Sequence, residues 1–128
     1  LCRLLRLGGE RRDEEAANQE DDLFRRADNF QHADGGWSQM PLVGSDAYAT
    51  GQAVFALRES SAAAATDPAV RRGVQFLLNT QLGDGSWFVK TRAIPLQPFF
   101  ESGFPHGRDQ WISATATNWA TLALARAN

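Results

Sequence analysis

The sequence predicts an all-α fold of stacked α-hairpins, on three observations. Charged and charge-free stretches alternate: residues 10–28 are crowded with Arg, Asp and Glu, 47–57 carry no charge, 67–72 bring Asp67, Arg71 and Arg72, and 110–125 carry none. Apolar residues within these blocks recur at helical spacing. One seven-residue pattern also occurs twice, at 31–37 and 81–87. Wet helices alternating with dry ones describe an outer layer with a solvated face over an inner, buried layer.

The elements follow in order. The first helix, near 10–30, places Ala16, Leu23, Ala27 and Phe30 on one side, a thin stripe. The second, near 46–59, starts at Ser45 or Asp46, either of which can cap its free amides. The third, near 67–81, opens on Asp67-Pro68, where the carboxylate caps and proline fits a turn in which its missing N–H costs nothing. Behind it, Val70, Val74, Leu77, Leu78 and Gln81 fall on one face, and Gly83-Asp84-Gly85 ends the helix. The fourth, near 111–126, has Ile112, Trp119, Leu122 and Leu124 all round it among Ala, Ser and Thr, the pattern of a helix buried on every side.

The 128 residues suit one domain, and 43 % hydrophobic with 22 % charged residues is ordinary globular usage. Thirteen Lys and Arg against fifteen Asp and Glu leave −2, which points away from a phosphate-tracking surface, so no nucleic-acid partner is expected. A single cysteine, Cys2, excludes an internal disulfide framework and a cysteine-based metal cluster. No run approaches the ~18 apolar residues of a membrane-spanning helix. Arginines interrupt the opening LCRLLRLGGE, which is therefore no convincing signal peptide, and the compartment stays open. The chain begins with Leu and is expected to be a piece of something longer. Residues 1–22 read as a charged N-terminal segment or degenerate cap, and 23–128 as two hairpin repeats with a loop insertion at 88–108.

The repeat is imperfect but consistent. QHADGGW and QLGDGSW share Gln31/Gln81, Asp34/Asp84, Gly35/Gly85 and Trp37/Trp87 at an offset of 50, with Gly36 the alternative glycine of the first copy. The dry helices align at an offset of 67, matching Ala49, Thr50, Ala53, Ala56 and Leu57 with Ala116, Thr117, Ala120, Ala123 and Leu124. The 17-residue difference places an insertion between Trp87 and the last helix. Physically, glycine permits the positive φ where the outer helix ends, Asp and Gln serve backbone groups left free there, and tryptophan plugs the junction between hairpins.

Arg72-Gly73, Phe76-Leu77, Gln81, Gly85 and Trp87 resemble the QW motif of squalene–hopene and oxidosqualene cyclases, and Gln31, Gly35 or Gly36 and Trp37 resemble its second half. The wider superfamily includes protein prenyltransferase β-subunits. The resemblance spans about residues 24–125 and implies an incomplete segment of an α/α toroid. It implies, for a full-length protein, a terpene cyclase-like isomerase, an intramolecular transferase with an apolar cavity for a polyprenyl or triterpene-type substrate. The expected partners are that apolar small molecule or the remainder of the same toroid. A membrane surface is a further candidate partner for the full-length protein, and self-association for the isolated fragment.

The catalytic groups of those relatives do not carry over. The cyclases' Asp-x-Asp-Asp acid has no counterpart: Asp21-Asp22 is the only adjacent Asp pair, and Gln stands at 19. His32 and His106 have no metal-ligand spacing, so neither a metal nor a cofactor is expected. No carboxylate pair suits polysaccharide hydrolysis. Asp46, His106 and Asp109 remain as candidates for catalysis, each with an ordinary reading as cap or loop residue. The 88–108 insertion is rich in aromatics and stiffened by Pro95, Pro98 and Pro105. It either caps the apolar end of the stack or lines a ligand pocket, for which Arg92, Phe99, Phe100, Trp111 and Trp119 are the candidate substrate-binding residues. Trp119 has core packing as its competing reading. A non-catalytic α/α module that binds a partner or ligand is the alternative function.

Overall fold

The computed structural model describes residues 14–16, 18, 19, 22, 29–60 and 65–127, which form helices joined by irregular loops, with no strand among them. Most of the expected first helix, and most of the segment 1–22, lies outside the described residues; 14–16, 18, 19, 22, 29 and 30 are helical. Three helices follow: α1 (Ala47–Glu59), α2 (Pro68–Thr80) and α3 (Gln110–Arg126), the last entered through a 3-10 turn at Gly107–Asp109. These lie within a residue or two of the expected spans.

The starts of α1 and α2 are those the capping chemistry predicts. Asp46 accepts from the Ala49 N–H at 2.8 Å, and Asp67 from the Ala69 N–H at 2.8 Å. The start of α3 is built otherwise. Asp109 makes no capping bond, and the side-chain amide of Gln110 donates to the Gly107 carbonyl at 2.8 Å.

α1 and α3 are the inner pair and run parallel. Their C-terminal ends meet where Arg58 Nε donates to the Arg126 carbonyl at 3.1 Å and Arg126 lies 3.3 Å from Glu59. Midway, a Cβ on Gly51 would sit 2.7 Å from the backbone of Trp119, so the two helices approach almost backbone to backbone. α2 runs antiparallel to α1 and covers it, with Gly73 pressed against Val54 and the ring of Trp37. Among the described residues no buried side-chain nitrogen or oxygen lacks a hydrogen-bond partner.

Two expectations about helix faces are corrected. α3 is not buried all round: its buried face is Gln110, Ser113, Ala116, Ala120 and Ala123, while Trp111 and Leu122 are about half exposed (54 % and 47 %). The close approach to α1 explains this, since only small side chains fit between the helices; Trp111 and Leu122 turn outward, while Ile112 and Leu124 pack half-buried against the core. On α2, Ala69, Val70, Gly73 and Leu77 face inward, whereas Leu78 and Gln81 are exposed. The buried stripe is rotated toward Gly73, where α2 meets Trp37.

Candidate functional site

The two copies of the seven-residue pattern form the same turn. Gln31 Nε2 donates to the Gly35 carbonyl at 2.8 Å, and Gln81 Nε2 to the Gly85 carbonyl at 2.9 Å. Asp34 and Asp84 each accept from the backbone N–H two residues on, at 2.9 Å. Gly35 and Gly85 take φ of +88° and +85°, conformations that favour glycine. Each tryptophan then hands its backbone N–H to a threonine of the following inner helix: Trp37 to Thr50 at 2.9 Å, Trp87 to Thr117 at 3.1 Å. The two sequence offsets, 50 for the turn and 67 for the inner helix, thus meet in one repeated contact.

Each turn also carries an Asp–Ser–His chain, assembled from different positions in the two copies. Ser45 Oγ donates to Asp34 at 2.8 Å and lies 2.9 Å from His32 Nδ1. Ser86 Oγ donates to Asp84 at 2.6 Å and lies 2.9 Å from His106 Nε2. The order of these groups decides their chemistry. Each serine has one proton, which goes to the carboxylate, so the imidazole must donate to the serine oxygen. A histidine that donates cannot serve as base for that serine, and neither chain is a nucleophilic triad. The serine hydroxyl, then the Ser86 N–H, hold Asp84 below the usual carboxylate range, with the nearby His106 charge adding to them. His106 sits at φ 89°, its ring edge-on to Phe88 and Phe104. Its structural role is to tie the approach to α3 onto the second turn.

The 88–108 segment is held down by specific bonds. Ser113 Oγ accepts from the Val89 N–H at 3.0 Å and donates back to its carbonyl at 3.2 Å. Asp109 accepts from the Thr91 N–H at 2.8 Å, which closes the base of the loop. Arg92 reaches Asp46 at 3.5 Å. Fully buried Gln110 accepts from both the N–H and the hydroxyl of Ser102 and donates to Glu101 at 2.9 Å. Trp111 Nε1 donates to the Phe100 carbonyl at 2.9 Å.

These anchors shape an open groove of about 710 Å³, lined by Ile94, Leu96, Phe99, Phe100 and Trp111, with Arg108 over the Phe99 ring at 5.8 Å. It has the size and apolar lining of a small-molecule site. A second hollow of about 520 Å³ continues past Trp111 to Arg92 and Met40. Of the candidate binding residues, Phe99, Phe100 and Trp111 therefore converge, and Arg92 stands at the adjoining end. Trp119 lies elsewhere, packed edge-on against Phe55 at 5.5 Å. Asp46 is occupied as cap, as the acceptor of Gln39 at 2.7 Å and as the partner of Arg92. Sequence reasoning missed Gln110, Ser113 and Ser86. The matched Thr50 and Thr117 were visible in the repeat, but their bond to tryptophan was not.

Among the described residues no three His, Cys, Asp or Glu side chains gather as a metal site, and no helix is long and apolar enough to cross a membrane. No family model, curated protein or solved structure matches this chain.

Proposed function

We propose that the chain is a segment of a squalene-cyclase/prenyltransferase-like α/α repeat protein, an incomplete part of an α/α toroid. In this reading its groove forms part of an apolar cavity for a polyprenyl or triterpene-type substrate, and the chain contributes no catalytic acid of its own. The observation that carries the reading is the groove over Phe99, Phe100 and Trp111, five of whose apolar residues remain 44–88 % exposed. A contiguous exposed apolar surface in a folded chain marks a binding face. The repeated turn and the parallel inner helices support the repeat architecture. The engagement of Asp46 and Asp109 in fixed hydrogen bonds supports a binding rather than a proton-donating role.

Titrating the protein with farnesol while reading tryptophan fluorescence tests this. Saturable quenching that disappears in Trp111→Ala and weakens in Phe100→Ala is the expected result. Quenching that is unsaturable, or unaltered by both substitutions, contradicts it.

A further inference from the structure

The groove is apolar except for one charge that its surroundings do not answer. Among the described residues that line it, Arg108 is the single charged side chain, set over the Phe99 ring at 5.8 Å. A guanidinium over a ring face gains cation–π attraction while its N–H edge stays open to an acceptor. No described carboxylate forms an ion pair with Arg108. The two acidic groups nearest in sequence are engaged with the loop itself. Asp109 accepts from the Thr91 N–H at 2.8 Å, and Glu101 accepts from Gln110 at 2.9 Å and from the Gly103 N–H at 3.2 Å.

The adjoining hollow gives the site a direction. Thr91, Ala93 and Trp111 line both spaces, whereas Arg108 and Phe99 line the groove alone and Met40 and Ile112 the hollow alone. Arg108 and Met40 therefore stand on opposite sides of the shared Trp111 wall, which the bond from its indole N–H to the Phe100 carbonyl holds in place. Arg92 is the cation of the hollow, and it already reaches Asp46 at 3.5 Å. One end of the path thus offers an unanswered cation, and the other a neutralised pair beside a methionine.

We infer that the ligand of this groove is a chain-like isoprenoid carboxylate, its head on Arg108 and its tail passing Trp111 toward Met40. The inference rests on the apolar-cavity reading above and names the head group which that reading leaves open. Charge selects the carboxylate. One guanidinium matches one carboxylate, two parallel N–H donors to two oxygens. A diphosphate brings several negative charges to a groove with one uncommitted cation, next in sequence to the carboxylate of Asp109. A neutral alcohol or hydrocarbon leaves the guanidinium unanswered, so it forgoes the one polar contact that distinguishes ligands here.

The probes are farnesoic acid, its methyl ester and farnesol, titrated into the full chain by calorimetry at neutral pH, where the acid is ionised. The acid should bind roughly tenfold or more tighter than the ester and the alcohol, the worth of a charge-assisted hydrogen bond. Arg108→Gln, at an exposed position, should abolish that preference. Met40 is the one methionine of the chain, so its methyl NMR signal reads the far end and should shift saturably with the acid. Equal affinity for all three probes overturns the inference and leaves the apolar cavity standing. A preference for the acid that survives Arg108→Gln, or a Met40 methyl signal that does not move, overturns it as well. So does farnesyl diphosphate binding more tightly than the acid through Arg108, which would make the ligand a polyanion. Binding of none of the probes refutes the cavity itself, and the carboxylate with it.

Discussion

Thr117 takes the backbone N–H of Trp87 at 3.1 Å, and 67 residues earlier Thr50 takes that of Trp37 at 2.9 Å. In each copy the chain leaves its turn, passes a tryptophan and is at once bonded to the inner helix that lies next in sequence. The Trp37 contact is fully buried, as is Thr50 itself. Thr50→Val keeps the shape and removes the hydroxyl that accepts from the buried Trp37 N–H. A loss of about 1–3 kcal/mol by urea unfolding is expected. Thr117→Val should also destabilise, by less, because its bond to Trp87 is longer and only partly buried.

Trp87 is 2 % exposed, and its indole N–H donates to the Leu77 carbonyl at 2.8 Å, at the C-terminal end of α2. Trp87→Ala should cost roughly 3–5 kcal/mol, the range for emptying a large core site. Thermal melting in parallel with Trp111→Ala separates core from groove. The first should fall steeply, while the second, at a half-exposed position, should change little.

Gly51→Ala places a methyl group 2.7 Å from the Trp119 backbone, where no side chain can move aside. Overpacking there should destabilise by about 1–3 kcal/mol, more than the helix propensity that alanine adds. Gly83→Ala is the control: nothing lies within 4 Å, and its melting temperature should stay level or rise slightly.

Acid should weaken the second turn. The folded-state pKa of Asp84 is depressed, first by the Ser86 hydroxyl and then by the Ser86 N–H. A depressed carboxylate contributes stability that is present above its unfolded pKa of about 3.9 and lost as pH falls through the folded value. Melting temperatures of the wild type and Asp84→Asn, measured from neutral pH downward, should differ at neutrality and converge in the acid range. A constant difference would mean that the charge of Asp84 contributes nothing.

Much of the fold was legible in the residues. Asp46 and Asp67-Pro68 announce two helix starts, and the offsets of 50 and 67 announce two hairpins with an insertion in the second. The buried face of α3 was not legible, because hydrophobicity ranks Trp119 and Leu122 above Ala116 and Ala120, whereas the spacing between α1 and α3 selects for smallness. Pattern reasoning weighs a side chain's affinity for water, not the room it is given. At the groove, aromatic content pointed to Phe99, Phe100 and Trp111, which do converge. Gln110, the buried anchor of the loop, carries no signal in sequence, since a polar residue at a helix start reads as solvent-facing until its partners in 101–107 are in place.

The most direct test of the central claim, that the groove receives a chain-like apolar ligand, is photo-crosslinking. A farnesyl probe with a benzophenone group would be irradiated with the protein, and the labelled peptides identified by mass spectrometry after digestion. Labels on the segment containing Ile94, Leu96, Phe99 and Phe100 and on Trp111, competed away by unlabelled farnesol, are the predicted result. Labels spread over the exposed apolar residues of α2 and α3, such as Leu78 and Leu122, without competition would contradict it.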